Sequence, residues 1–332
     1  MKIRSVIITI ITAGVATLLY LSYDRGSDSA VAQFKIAEGT QPIAAPVYIA
    51  DAKGFFKDEG VDVKLISFPT GKLCLDAVIG GNADFATVAE TPIMHASFKN
   101  QPIKIVATMH RSRQNTICIA RKDMGVNSVG DLKGKTIGVP LGTNAEYGIS
   151  ALLEKNGLLP SDVKLINLSP PEMIGPISNR ELAAVTAWQP HAGRCEKAVG
   201  ENGIRLSLED VYEETYNLVT STKMAEVQTD TTAKVLKALE RGVAFMRENR
   251  DESIDIVSKR IGMEKAELER LWPIYNFGLD LRQSLVDTMT AQGKWAVARG
   301  HQSGAIPEMK SVISAKALIT VDLNAVDEPI TK

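Results

Sequence analysis

The strongest constraint on the fold is an alternation of short β-type runs with stretches of helical periodicity, which starts at Phe34 and continues to about residue 230. Such alternation is typical of α/β proteins, in which helices cover a mostly parallel sheet. We predict strands over residues 34–37, 61–68, 84–86, 103–108, 116–121, 136–139, 163–167 and 183–187. The helices predicted between them cover residues 46–53, 73–79, 90–99, 144–156 and 191–199.

The pattern changes beyond about Thr231, where helical periods follow one another without strands between them. They cover residues 233–248, 252–261, 265–275 and 284–299. A chain of 332 residues with 45% hydrophobic content has room for two modest domains. We therefore predict two similar α/β lobes, with the C-terminal helices covering one of them.

Charge and cysteine content exclude several classes of protein. Lysine and arginine (38) nearly balance aspartate and glutamate (39), so the chain has no strongly basic face for DNA or RNA. Cys74, Cys118 and Cys195 are far apart and form no CxxC motif, which indicates neither a disulfide framework nor a zinc site. We expect them to be buried as small apolar residues, while a bridge between two of them remains an alternative in an oxidising compartment.

The N-terminus has the features of an export signal. Lys2 and Arg4 precede an uncharged stretch at residues 5–23, and Ala30-Val31-Ala32 has small residues at alternate positions. Cleavage after Ala32 would leave Gln33 as the first residue. The uncharged stretch would also span about 28 Å as a helix, close to the thickness of a membrane core, so an uncleaved anchor is the alternative. Both interpretations predict a periplasmic or extracytoplasmic location for the rest of the chain.

Motifs of the common enzyme classes are missing from the sequence. The run Gly134-Lys135-Thr136 matches the end of a phosphate-binding P-loop, but Val129 occupies the place of the first glycine. No HExxH, GxSxG or GxGxxG motif occurs, and the four histidines lack metal-ligand spacing. We therefore predict a binding protein with no catalytic residues, no cofactor and no metal.

Several short motifs occur together in a familiar order. They are Gly54-Phe55-Phe56, Gly60-Val61-Asp62-Val63, Gly-Asn-Ala-Asp-Phe-Ala at 81–86, Asp-Leu-Lys-Gly-Lys at 131–135 and Ala-Trp-Gln-Pro at 187–190. In their order and spacing the chain resembles the taurine, nitrate and aliphatic-sulfonate substrate-binding proteins of ABC importers, relatives of the thiamine-pyrimidine-precursor binders. One departure lies at residues 179–184, where Asn-Arg-Glu-Leu-Ala-Ala replaces the family's usual Gly-x-Val/Ile-Asp-Ala.

The resemblance implies a two-lobed type II periplasmic-binding-protein fold, each lobe having a mixed, mostly parallel sheet flanked by helices. Residues 33–115 and 217–332 would form lobe one and residues 116–216 lobe two, after an export or anchor segment at 1–32. Two crossings, near Ser112 to Thr116 and near Thr215 to Thr220, would form the hinge.

The resemblance also implies the biological role. A monomeric receptor would capture a small sulfonate, taurine-like or nitrate-like solute and deliver it to a membrane permease and its ATPase. The alternatives are a receptor for a membrane sensor and a binder of a thiamine pyrimidine precursor.

Ligand-binding residues are expected where strands end and helices begin, because helix N-termini offer unpaired N–H groups and a positive dipole end. In lobe two, Gly142, Thr143 and Asn144 stand between a predicted strand and a predicted helix. Their amides and side chains are predicted to hold a sulfonate, carboxylate or phosphate-like group, although Thr143 and Asn144 also suit ordinary helix capping.

Lobe one has equivalent positions at Gln41 and Pro42, after the first strand, and at Glu90 and Thr91, after the third. Glu90 would repel a simple anion but would pair with an ammonium group, which favours a zwitterionic ligand such as an aminosulfonate. A solvated surface position without a ligand role is the alternative for Glu90.

Three further ligand contacts are predicted. Trp188 and Gln189 end a lobe-two strand and would supply a stacking face and an amide, with a core position for Trp188 as the alternative. Asn217, beside Tyr216, flanks the predicted return crossing.

Overall fold

The computed structural model describes residues 33–331. The predicted export or anchor segment, residues 1–32, lies outside this part of the chain. No helix within residues 33–331 combines the length and the apolar character needed to cross a membrane.

The described chain contains eleven strands. They are β1 (Gln33–Gly39), β2 (Asp62–Phe68), β3 (Phe85–Ala89), β4 (Ile103–Ser112), β5 (Thr116–Arg121), β6 (Thr136–Val139), β7 (Lys164–Asn167), β8 (Ala184–Trp188), β9 (Gly203–Leu206), β10 (Glu214–Ser221) and β11 (Asn276–Asp280).

Fourteen α-helices accompany these strands in the described residues. They are α1 (Ala45–Ala52), α2 (Phe55–Asp58), α3 (Gly71–Ile79), α4 (Glu90–Phe98), α5 (Asn144–Lys155), α6 (Ile174–Ser178), α7 (His191–Val199), α8 (Thr222–Val227), α9 (Thr229–Glu248), α10 (Arg250–Ile261), α11 (Lys265–Leu271), α12 (Gln283–Ala298), α13 (Lys316–Val321) and α14 (Glu328–Thr331). Short 3-10 turns lie between them, among them Pro42–Ala44, Pro170–Met173, Gly200–Asn202 and Trp272–Ile274.

The strands form two mixed sheets. The first has the order β11-β4-β10-β3-β1-β2, and the second has the order β7-β6-β8-β5-β9. β1 and β3 are parallel, as are β6 and its neighbours β7 and β8. β10 runs antiparallel to both β3 and β4, and β5 to both β8 and β9. The predicted α/β architecture with two mixed sheets flanked by helices is confirmed, and antiparallel pairs are more frequent than the sequence pattern suggested.

The chain crosses between the sheets twice. It leaves the first sheet after β4, whose last residue is Ser112, and enters the second at Thr116. It returns between β9 and β10. The return crossing predicted near Thr215 to Thr220 is wrong, because these residues form part of β10, an inner strand of the first sheet. The expected lobe boundary between residues 216 and 217 falls inside the same strand.

β10 escaped prediction because of its polar side chains, which are nevertheless buried. Thr215, Asn217 and Thr220 are each 2% exposed or less, and each finds partners inside the protein. The Thr220 hydroxyl, for example, donates to the Asp84 carbonyl at 2.6 Å. Buried polar groups that are paired in this way cost little, so a central strand tolerates them.

The helix predicted over residues 265–275 ends earlier, at Leu271. Trp272–Ile274 form a 3-10 turn with Pro273 at its second position, and β11 begins directly afterwards. Proline has no N–H to continue an α-helix. The three cysteines are buried and unpaired, as expected for small apolar residues.

The C-terminal helices lie on the first sheet's side of the molecule. The long helix α9 packs closely on α1, where a Cβ added at Gly242 would lie 2.8 Å from the Pro46 carbonyl oxygen. A glycine at this position therefore permits the two backbones to approach. One hydrophobic core includes residues of the first sheet and these helices, and two smaller cores include residues of the second sheet.

Candidate functional site

A cavity of about 350 Å³ lies between the two sheets and is lined by residues from both. From the side of the first sheet it is lined by Gln41, Ile43, Thr70, Gly71, Lys72, Ala89, Pro92, Glu214 and Tyr216. The segment between the two sheets contributes Asn115, and the side of the second sheet contributes Pro140, Thr143, Asn144, Asn167, Leu168, Ser169, Pro170, Glu172 and Trp188.

Two α-helices begin at this cavity from opposite sides. α3 starts at Gly71, with Thr70 as its N-cap accepting the Leu73 N–H at 3.4 Å. α5 starts at Asn144, with Thr143 as its N-cap accepting the Ala145 N–H at 3.2 Å. The first N–H groups of a helix have no partner within the helix and carry its positive dipole end. Two positive helix ends therefore face one cavity, an arrangement that favours an anionic group.

The start of α3 lies directly against β3. A Cβ added at Gly71 would lie 3.1 Å from the Thr87 carbonyl oxygen and 3.2 Å from the Val88 Cα. Glycine at position 71 thus brings the first amides of α3 down to the cavity wall. Lys72, the next residue, is an exposed cation at the same wall and pairs with Asp76 one turn later at 2.8 Å.

The hinge end of the cavity contains a buried carboxylate. Glu214 is 3% exposed, and its oxygens accept hydrogen bonds from the Asn115 amide at 2.5 Å, the Asn144 amide at 3.2 Å and the Thr116 hydroxyl. None of these partners is a cation. Burial, together with the nearby charge of Glu90, raises the pKa of Glu214 to about 7. The hydrogen bonds act in the opposite direction, but their effect is smaller than that of burial. The group therefore changes its charge near neutral pH.

Two more polar atoms at this end have unused bonding capacity. Asn115 is 1% exposed, and its amide oxygen has no partner in the described part of the chain. The Tyr216 hydroxyl accepts from Thr87 at 3.1 Å, which leaves its own proton for another acceptor. Burial raises the pKa of Tyr216 well above its ordinary value, so this proton is retained. The residues that line the cavity beside Glu214 thus include one with an unused donor, Tyr216, and one with an unused but buried acceptor, Asn115.

The remaining wall is largely apolar. Trp188 ends β8, is 8% exposed, and contacts both the cavity and the core of the second sheet. Ile43, Leu168 and three prolines continue this surface: Pro92, Pro140 and Pro170. On the second sheet's side, Ser169 and Glu172 cap a 3-10 helix, so their polar groups are already used locally. The wall suits the hydrocarbon body of a ligand.

Four of the ten predicted ligand contacts line the cavity. They are Gln41, Thr143, Asn144 and Trp188. The other six are not among its lining residues: Pro42, Glu90, Thr91, Gly142, Gln189 and Asn217.

Glu90 does not face the cavity as predicted, and it is fully buried. Its carboxylate accepts hydrogen bonds from the Tyr212 hydroxyl, from the Thr215 N–H at 3.0 Å and from the Gln292 amide at 2.7 Å. Thr91, also buried, donates to it at 3.4 Å. These contacts use the carboxylate inside the protein, so Glu90 has no free oxygen for a ligand's ammonium group.

Four other predicted ligand contacts that do not line the cavity have other positions or partners in the protein. Pro42 is buried in the 3-10 turn after β1. The Gly142 N–H donates to Glu146 at 2.7 Å. Gln189 lines a different crevice and accepts the Gly193 N–H at 3.1 Å. Asn217 accepts from Thr108 at 2.7 Å inside the first sheet.

Several lining residues were not predicted, chiefly Thr70, Gly71, Lys72, Asn115 and Glu214. Thr70 and Gly71, at the start of α3, could have been predicted from the sequence, because threonine is a common N-cap. Glu214 carried none, since the residues that bury it are distant in sequence, Asn115 and Thr116 lying 99 and 98 positions away.

The chain belongs to the NMT1/THI5 like family, which matches residues 41–253. A relative from Bacillus subtilis (strain 168), named "Putative aliphatic sulfonates-binding protein", is 26% identical over 245 residues, covering 71% of this chain and 73% of the relative. A shorter match is to 4-amino-5-hydroxymethyl-2-methylpyrimidine phosphate synthase of Schizosaccharomyces pombe (strain 972), 29% identical over 141 residues, covering 41% of this chain and 40% of the synthase.

Solved structures share the fold at lower sequence identity. The periplasmic aliphatic sulphonate binding protein SsuA from Escherichia coli superposes with a TM-score of 0.74 at 15% identity, covering 85% of this chain and 97% of SsuA. The two-lobed architecture is therefore that of a periplasmic binding protein.

Proposed function

We propose that this protein is the extracytoplasmic solute-binding component of an ABC importer and that it captures an organic sulfonate between its two lobes. The observation that carries the proposal is the pair of helix N-termini, α3 and α5, that face one cavity from opposite sides. A sulfonate is a compact anion with three acceptor oxygens, which suits converging N–H groups. The relatedness to an aliphatic sulfonates-binding protein supports the same ligand class.

The cavity's size and walls favour an organic ligand over nitrate. Its volume of about 350 Å³ exceeds by roughly tenfold the 30 Å³ that one water molecule occupies in the liquid, and nitrate, with four heavy atoms, would fill only a small part of it. Trp188, Ile43 and Leu168 present apolar surface that an inorganic ion would leave unused. An alkyl or aryl tail would cover this surface and gain hydrophobic stabilisation.

An aminosulfonate is the second candidate within this class. The unpartnered oxygen of Asn115 and the carboxylate of Glu214 are adjacent acceptors at the hinge end of the cavity. An ammonium group on the ligand would pair with the carboxylate of Glu214. Glu214 therefore replaces Glu90 as the proposed partner of a ligand's ammonium group, because Glu214 lines the cavity and Glu90 does not.

Capture works by closure of the lobes around the ligand. Contacts to both α3 and α5 exist only when the lobes are together, so the ligand stabilises the closed state preferentially. The closed, loaded form would then deliver its ligand to a membrane permease and ATPase, with the receptor acting as a monomer.

The main alternative is a pyrimidine-precursor ligand, which the synthase relative suggests and which the Trp188 face would accept by stacking. We infer binding without turnover, because no histidine or cysteine is among the residues lining the cavity in the described chain. The sulfonate remains our proposal because the facing helix ends favour an anion.

We expect butane-1-sulfonate and 4-aminobutane-1-sulfonate to raise the thermal unfolding midpoint of the purified protein. The first should have the larger effect at pH 6 and the second at pH 8. A purely anionic ligand prefers neutral Glu214, so its affinity falls about tenfold between pH 6 and pH 8 for a pKa of about 7. The amino derivative prefers ionised Glu214 and binds better at pH 8. Ligand at 100 times its dissociation constant adds about 2.7 kcal/mol, a shift of several degrees.

Differential scanning fluorimetry at pH 6 and pH 8 measures these unfolding midpoints, with nitrate and an aminopyrimidine as comparison ligands. Stabilisation by the aminopyrimidine with none by either sulfonate would contradict the proposal.

A further inference from the structure

A hydrogen-bonded pair joins the two sides of the molecule away from the ligand cavity. His301 Nε2 lies 2.8 Å from Oε1 of Glu146. Glu146 is in α5, which packs on β5 and β8 of the second sheet. His301 follows α12, which packs on α4 in the first-sheet part of the molecule. The backbone N–H of His301 donates to the Ala296 carbonyl of α12 at 2.8 Å. Each partner is thus fixed to a different lobe.

Glu146 connects this pair to the ligand cavity. Its second oxygen, Oε2, accepts the Gly142 N–H at 2.7 Å. Gly142 has a φ of +73°, a backbone conformation that glycine adopts readily, and the next two residues, Thr143 and Asn144, line the cavity. One carboxylate therefore contacts the other lobe with one oxygen and holds the loop before α5 with the other.

The Glu146 carboxylate depends on these two contacts. Its side chain is 1% exposed, whereas that of His301 is 30% exposed. A buried carboxylate that loses a partner incurs a desolvation penalty. If the lobes separate, His301 moves away with α12, and the carboxylate is left with the Gly142 N–H. The interaction is thus strongest when the lobes are together.

Aromatic packing supports the same contact. Tyr147, the residue after Glu146, packs edge-on against Trp295 of α12, with ring centroids 5.5 Å apart. The Trp295 ring lies 5.3 Å from that of His301. The two lobes therefore meet here over a small, specific surface.

The titratable groups around His301 come from both neighbouring helices. Glu146 of α5 faces His301. The ring of His95, in α4, lies 6.5 Å from the ring of His301, and Lys99 directly follows α4. Burial, reinforced by His301, lowers the pKa of His95 to about 4. Burial likewise lowers the pKa of His110 to about 3 and that of His191 to about 4. None of these three histidines changes its charge between pH 6 and pH 8.

We infer that His301 and Glu146 form a latch between the lobes, in which His301 acts as a positioning residue that holds the Gly142–Asn144 loop through Glu146. The inference rests on the proposed function, since it assigns the pair to closure around the ligand. Separation of the lobes breaks the contact between His301 and Glu146, so the latch slows release of the ligand.

The first test replaces His301 by alanine and measures release of butane-1-sulfonate by stopped-flow fluorescence. We expect release about fivefold faster than from the wild type, with an unchanged association rate, because one hydrogen bond between the lobes is lost. Comparing the two proteins at one pH cancels the titration of Glu214, which is common to both. His191→Ala, at a histidine outside this contact, is the matched control.

The second test needs no ligand. Hydrogen–deuterium exchange of the segment around Gly142 should be faster in His301→Ala than in the wild type, and a His301→Ala, Glu146→Gln double variant should exchange no faster than Glu146→Gln alone. Wild-type rates in His301→Ala, or a double variant that exchanges faster than Glu146→Gln alone, would overturn the latch. A wild-type protein that binds no sulfonate would refute the proposed function, and the exchange experiment would still decide the latch.

Discussion

Glu214→Gln should become more stable relative to the wild type by about 3 kcal/mol as the pH rises from 4.5 to 8. Burial raises the pKa of Glu214 from 4.5 to about 7. A group whose pKa is raised by folding contributes stability that is fully present below the unfolded-state pKa and is lost as the pH rises through the folded-state pKa. Each unit of pKa corresponds to about 1.36 kcal/mol, and glutamine cannot ionise.

The measurement is thermal or urea unfolding of both proteins at pH 4.5, 6 and 8. The amide introduces its own mismatch, because its NH₂ group replaces an oxygen that accepts from Asn115 or from Asn144 and Thr116. That cost is the same at every pH, so it cancels in the pH dependence. Glu201→Gln, an exposed carboxylate in the turn Gly200–Asn202, is the control. A stability difference that stays constant with pH would contradict a raised pKa for Glu214.

Lys72→Glu should weaken the binding of butane-1-sulfonate about tenfold without unfolding the protein. Lys72 is the only cationic side chain among the residues that line the cavity in the described chain. Its side chain is 64% exposed, so solvent screens much of the charge reversal, and about 1.4 kcal/mol remains. The helix itself tolerates the change, because a carboxylate in the first turn interacts favourably with the helix dipole.

Isothermal titration calorimetry of the Lys72→Glu variant measures the loss. Lys64→Glu makes the same change of net charge on an exposed residue of β2 away from the cavity, and its affinity should match the wild type. Lys72→Gln should fall between Lys72→Glu and the wild type. Equal affinities for all four proteins would show that the sulfonate does not bind near the start of α3.

Much of the fold could be predicted from the sequence because its signals are local. The strands β1 to β8 and the helices α1, α3, α4, α5 and α7 follow from hydrophobic period and from turn residues such as Gly54, Gly80 and Gly81. β10 was missed because a buried polar strand looks like a linker until its partners are known. β11 was missed because Pro273 ends α11 early and starts a new element.

The candidate site was predicted only where its signal was local. Thr143 and Asn144 follow a strand and begin a helix, so both their capping role and their position at the cavity were accessible from sequence. The roles of Glu90 and Glu214 were not, because Tyr212 and Gln292, which bind Glu90, lie 122 and 202 positions away from it. Only the packing of distant segments decides which of two carboxylates faces the ligand.

The most direct test of the account is a crystal structure of the protein grown with butane-1-sulfonate. We predict electron density for the sulfonate between the first residues of α3 and α5, within hydrogen-bond distance of the Gly71 or Lys72 amide on one side and of Asn144 on the other. The alkyl chain should contact Trp188. Density outside this cavity, or a sulfonate directed toward Glu214 with its tail against the helix starts, would contradict the central claim.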